Sequence, residues 1–197
     1  MRDPYSAAKS IGTAAYLADG RVELGVGVGW CAEEFELLGQ RFDRRGQRTD
    51  EMLDLMKALW QPGWTEFGGD FYQTPRLEMT PTPPRIPIFV GGLSDIALRR
   101  AARNNGWIGD LIDTETAIAT ARRVLAMRAE NGFSGDDFTI LTPLTDAFRI
   151  ADYDRAEQAG ITHILTMPWM FYSGPDATLA EKVDGMKKFR KDLALDA

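Results

Sequence analysis

At 197 residues, 44% of them apolar, the chain is long enough to bury one well-formed core and short for two, so a single domain is expected. Twenty-three Lys and Arg against 29 Asp and Glu leave a formal charge of −6 with no basic run, which argues against a nucleic-acid partner. One cysteine, Cys31, and one histidine, His163, exclude a disulfide framework and a Cys/His metal cluster; with neither a charged leader nor about 18 consecutive apolar residues, a cytoplasmic protein without a membrane partner is expected.

In chain order, the alanine-rich stretch Ser6 to Leu17 predicts a helix ended by Ala18-Asp19-Gly20, and a strand follows from Val22 to about Val28. Its glycines 25, 27 and 29 do not make a dinucleotide fingerprint, because Trp30 stands where G-x-G-x-x-G needs glycine and the glycines lie within the strand. Alternate glycines leave one face of the strand bare, which suits either a flat ring or a closely packed neighbour. A short helix over EEFELLG precedes a longer one in which Met52, Leu55, Met56, Leu59 and Trp60 recur at helical spacing and read as core. From Gln61 to Pro87 the pattern breaks into Pro- and Gly-rich sequence with Trp64, Phe67, Phe71 and Tyr72, an inserted excursion read as a small hairpin.

Ile86 to Leu111 organises the rest. An apolar run to Val90 predicts a buried strand, Gly91-Gly92-Leu93-Ser94 a turn, and the next residues a helix with Ala97, Leu98, Ala101 and Ala102 on one face and Arg99, Arg100 and Arg103 elsewhere. Asn105-Gly106 offers a left-handed helix end. Backbone amides and a serine hydroxyl at a helix N-terminus can hold a phosphate; Ser94 is equally suited to plain N-capping. Asp113 or Thr114 caps a further helix carrying Ile118, Ala121, Val124 and Leu125 and ending at Asn131-Gly132. Strands near 107–111, 138–144 and 161–167, a helix at Tyr153 to Ala159, and a last helix with Leu179, Val183, Met186, Phe189 and Leu193 on one stripe complete the pattern. Strand and helix alternate throughout, giving five parallel β/α units: an open sheet or part of a (β/α)8 barrel, which usually needs about 250 residues.

RVELGVGVGW, EEFELLGQRF, RRGQRTDEMLDLMKALW, FGGDFY, IPIFVGGLSDIALRRAARNNGW and GITHILTMPW occur in an order that resembles the bacterial luciferase-like monooxygenases, particularly actinobacterial members using the deazaflavin F420. The resemblance implies an α/β fold corresponding to strands four to eight of a TIM (β/α)8 barrel, with the first three βα units absent: a single partial-barrel domain over 1–197 with an insertion at about 61–87. Those absent units would carry part of the flavin cradle and much of the substrate pocket, so the chain is expected to be a fragment, a gene model begun at an internal methionine, or a shortened relative. Asn105 stands where relatives usually carry aspartate.

The resemblance further implies that Gly91, Gly92 and Ser94 hold the cofactor phosphate, while Gly27, Gly29 and Trp30, at the carboxyl end of their strand, face the ring or its ribityl chain. F420 is the implied cofactor, with FMN the alternative; the implied activity is hydride transfer or monooxygenation of a small organic substrate, and the rival is a non-catalytic flavin-binding remnant. Arg45 and Arg48, with Glu33 or Glu34, are expected to form a bracing salt-bridge network, and Trp107 and Trp169, also near strand ends, either face the ring or, as large aromatics in a barrel usually do, pack. His163 reads as structural, at the start of its strand, and Cys31 as an inert thiol. A proton-transfer group within the chain would be a carboxylate or a tyrosine such as Tyr172. Open barrel edges imply a homo-oligomer.

Overall fold

The computed structural model describes residues 2–133 and 137–193. The described residues divide into two compact units, one of those up to Gly91 with 103–106 and the other of 92–102 with those from Trp107 onward. In the first, α1 (Pro4–Leu17) starts where Asp3 accepts the Ser6 amide at 2.7 Å and Pro4 presets the first turn. Its buried face is small, built from Ala8, Gly12 and Ala15, because the Trp60 indole lies against it and donates to the Ala8 carbonyl at 3.0 Å. The helix stops at Asp19 and Gly20, both at positive φ, as the Asp-Gly pair predicts.

Then come β1 (Leu24–Val26), α2 (Ala32–Leu37), α3 (Arg45–Leu59), the antiparallel pair β2 (Trp64–Gly68) and β3 (Gln73–Glu78), and β4 (Ile88–Gly91). Leu53, Leu55, Met56 and Leu59 are the buried residues of α3, with Trp60 beyond its end. Met52, expected in that core, is half-buried instead. The predicted hairpin is fastened at its corner by Glu51, whose carboxylate accepts the amides of Asp70, Phe71 and Tyr72 at 2.9, 2.8 and 2.7 Å. Gly69 is side-chainless of necessity, since a Cβ there would collide with that carboxylate.

Within this unit β1 and β4 are parallel in the register Leu24↔Ile88, Gly25↔Phe89 and Val26↔Val90. Ile88, Phe89 and Val90 are buried, as expected of a parallel strand covered on both faces. The predicted left-handed helix end at Asn105-Gly106 is not formed. Neither residue is at positive φ; Asn105 instead accepts the Ile88 amide on Oδ1 at 3.1 Å and donates its own N–H to the Ile88 carbonyl at 2.9 Å.

The second unit contains α4 (Asp95–Ala102), most of β5 (Gly106–Ile108), α5 (Thr114–Glu130), β6 (Thr139–Thr142), α6 (Ile150–Gln158), β7 (His163–Ile164), a 3-10 turn (Pro168–Phe171) and α7 (Leu179–Asp192). β6 and β7 are parallel, with Leu141↔His163 and Thr142↔Ile164. All five predicted strands are present and shorter than read. Ala97, Leu98, Ala101 and Ala102 are buried as expected, but Arg100 is buried with them. The predicted apolar stripe of α7 is not a buried face: Leu179 and Met186 are exposed, and the helix is seated through Gly185, where a Cβ would stand 2.7 Å from the Trp169 Cα.

Glu51→Ala is expected to lower unfolding free energy by about 2 kcal/mol, through the loss of three amide-to-carboxylate bonds, in urea denaturation, with Glu51→Gln in between. The N-cap of α5 gives a pH dependence: the Thr116 amide and hydroxyl hold the Asp113 carboxyl below its ordinary range. A depressed folded-state pKa adds stability above the unfolded value of about 4, and that stability is lost as pH falls through the folded value. Acid unfolding of Asp113→Asn, followed by circular dichroism, should accordingly have a shallower slope below pH 4 than wild type.

Candidate active site

β4 delivers the chain to Gly91, and the turn that follows is held by two constraints. Gly92 has φ +119°, a conformation side chains resist, and a Cβ there would stand 2.9 Å from the Cβ of Ala97. Its carbonyl accepts the indole N–H of fully buried Trp107 at 2.8 Å. Trp107 therefore packs, as read, and also fixes the turn.

Ser94 caps α4: its Oγ accepts the Ala97 amide at 3.3 Å and its carbonyl the Leu98 amide at 2.9 Å. That leaves the hydroxyl proton to donate, together with the first-turn amides of Asp95 and Ile96, which have no acceptor within the helix. The turn from Gly92 to Ile96 is exposed. Asp95 would repel an anion there, but it is ion-paired to Arg123 of α5. Capping and phosphate binding are thus compatible at Ser94, because the first uses its lone pair and the second its proton.

At the end of β1 the glycines serve different purposes. Gly29 has φ +81° and lies on Phe35, whose ring a Cβ would meet at 2.8 Å. Gly27 has an ordinary backbone, and a Cβ there would meet nothing within 4 Å, so this face of the strand is bare and open. Trp30 is 88% exposed.

Gly27 borders a cavity of about 350 Å³ whose wall includes Arg45, Arg48, Met52 and Tyr72. The expected network of Arg45 and Arg48 with Glu33 or Glu34 is absent among the described residues. Arg45 donates from Nε to the Gly29 carbonyl at 3.0 Å and lies 3.9 Å from the centre of the Phe42 ring. Arg48 donates to the Arg41 carbonyl at 2.7 Å, and Glu33 accepts the Cys31 thiol at 3.2 Å. Burial raises the Tyr72 phenol above its ordinary pKa. Sequence reasoning missed this wall, although the i, i+3 spacing of Arg45 and Arg48 places both on one face of α3.

Tyr172 is no base near neutral pH: desolvation and its bond to Asp192, 2.8 Å long, push it up to about 12. His163 is exposed at the first residue of β7, with Nδ1 2.9 Å from the Thr162 hydroxyl. Among the described residues, no three His, Cys, Asp or Glu side chains are gathered to hold a metal, and no helix is long and apolar enough to cross a membrane.

The fold matches solved luciferase-like enzymes. It superposes with a TM-score of 0.71 and 13% identity on the coenzyme F420-dependent tetrahydromethanopterin reductase of Methanopyrus kandleri, covering 100% of this chain and 80% of that one. Residues 1–177 match the family model of the luciferase-like monooxygenases, and the chain belongs to that family. It is 37% identical over 199 residues to an uncharacterized protein of Mycobacterium tuberculosis, covering 98% of this chain and 68% of that protein. It is also 33% identical over 108 residues to the FMNH2-dependent dimethylsulfone monooxygenase of Pseudomonas fluorescens, covering 53% of this chain and 30% of that enzyme.

The two glycine types separate by stability. Gly92→Ala should cost about 1–3 kcal/mol in chemical denaturation through backbone strain, whereas Gly27→Ala should stay within about 0.5 kcal/mol of wild type.

Proposed function

We propose that this chain acts as a flavin- or deazaflavin-dependent oxidoreductase on a small organic substrate, as one luciferase-like domain corresponding to strands four to eight of a (β/α)8 barrel. The family match supports the class. The observation that carries the reading to particular residues is the preformed turn at Gly92 to Ser94, with a serine proton and first-turn amides available to an oxyanion.

Gly91, Gly92 and Ser94 would hold the phosphate group, and Gly27, Gly29 and Trp30 would face the ring or ribityl chain, where the bare face at Gly27 leaves room. The cofactor is F420 by likeness to the reductase fold, with FMN the alternative by likeness to the dimethylsulfone monooxygenase. When bound, reduced F420 supplies a hydride, and reduced FMN with O2 an oxygen atom for transfer. The protein's part is to grip the phosphate, leave the ring face clear and exclude water. A second reading, a non-catalytic flavin-binding remnant, draws on Trp30, whose indole stands in solvent where a completed pocket would cover it. Assembly into a homo-oligomer belongs to the proposal, because a barrel lacking its first three βα units would leave strand edges unpaired.

Fluorescence titration of the protein with F420 and FMN tests this. Micromolar binding of one cofactor is expected, weakened at least tenfold by Ser94→Ala and by Gly27→Ala. Loss of the serine cap itself costs about 1 kcal/mol of stability, so folding of that variant is verified by circular dichroism. Binding of neither cofactor would sink the reading; binding without turnover of any acceptor or O2 would select the remnant.

A further inference from the structure

The cavity beside Gly27 has an electrostatic feature that flavin binding does not explain. Arg45 and Arg48 are three residues apart on α3, both half-buried, and both form part of its wall. Among the described residues neither has a carboxylate partner, whereas their neighbours on the solvent side do: Arg41 pairs with Asp43 at 2.6 Å and Arg44 with Asp70 at 3.1 Å. This inverts the usual order, in which charges leaving water acquire a counter-charge and surface charges need none.

The acids nearest to Tyr72 are already engaged. Asp3 takes the Ser6 amide at 2.7 Å, and Glu51 takes three amides of the hairpin corner. Both guanidinium groups are nevertheless held in place. Arg45 is fixed through its Nε by the Gly29 carbonyl and by the Phe42 ring, which leaves its two terminal amino groups to donate. Arg48 is fixed through one terminal amino group by the Arg41 carbonyl, which leaves its Nε and the other. Tyr72, kept protonated by burial, adds a hydroxyl donor on the same wall and lies within reach of the Arg48 charge. Arg45, Arg48 and Tyr72 thus all present donors. Arg2, Gln40 and Thr49 also line the wall, with the Thr49 hydroxyl donating to the Arg45 carbonyl, beside the apolar Leu24, Val26, Met52 and Met56.

We infer that this cavity binds an organic oxyanion, a carboxylate or phosphate group on a short apolar body, with the head on Arg45, Arg48 and Tyr72 and the body against Met52 and Met56. Arginine forks match such heads in a two-point geometry, and methionine adapts to bodies of varied shape. As a statement of substrate class this rests on the oxidoreductase reading; as a binding site it does not.

Isothermal titration of the cofactor-free protein with octanoate tests the site, with 1-octanol and octylamine as uncharged and cationic probes of the same body. Octanoate is expected to bind wild type at least tenfold more tightly than either, and to lose at least tenfold in Arg45→Met and Arg48→Met, with part retained in Arg48→Lys. Octyl phosphate run alongside identifies which head is preferred. Equal binding of octanoate and octanol by wild type would overturn the inference without recourse to any variant, and so would octanoate binding indifferent to both substitutions. Octanoate binding in a protein that binds neither F420 nor FMN leaves this site standing and removes the flavin reading; cofactor binding without octanoate binding does the reverse.

Discussion

The hydrogen bond from the buried indole of Trp107 to the carbonyl of Gly92 joins two features that are separate in sequence. Trp107 is the largest fully buried side chain of the described residues, so its position is dictated by packing. Because its one donor is aimed at Gly92, that packing also dictates where the turn after β4 sits. Gly92 then takes the backbone conformation that places Ser94 at the start of α4. A change in the core around Trp107 is thus transmitted to the turn through a single polar contact.

Much of this was legible in the sequence, for identifiable reasons. The strands and helices announce themselves by period, by Asp-Gly and Asn-Gly punctuation and by capping residues, and the structure places Asp113 at the cap of α5 as read. The order of the quoted segments was specific enough to indicate the family. What failed were inferences about which partner a side chain would choose. Charge and spacing pair Arg45 and Arg48 with Glu33 or Glu34, but Glu33 accepts the Cys31 thiol and both arginines turn to carbonyls and rings. Asn105 was read for its backbone tolerance, whereas its side chain caps the entry of β4.

The last helix illustrates the limit of periodicity. Its apolar residues lie at helical spacing, yet the close approach is made by a glycine, because only a residue without a Cβ lets the helix axis come near the Trp169 backbone. A hydropathy pattern records which residues are oily and is silent on which are small enough to touch. The same distinction divides the glycines of the candidate site: Gly29 and Gly92 lack side chains because a neighbour is already there, and Gly27 lacks one where there is empty space.

Glu51 holds the corner of the hairpin, and the strands are tied by other bonds: the Thr65 hydroxyl of β2 donates to the Ala58 carbonyl of α3, and the Gln73 carbonyl of β3 accepts the Tyr5 hydroxyl. Tyr72, on the cavity wall, lies inside the anchored corner, while Trp64, at the start of β2, faces solvent. Divergence among relatives can therefore accumulate at the exposed alternate positions of β2, Trp64, Glu66 and Gly68, in charge and surface chemistry without displacing the phenol. The hairpin is in this sense a bracket whose outward face is open to evolutionary revision, while its inner face remains registered to α3.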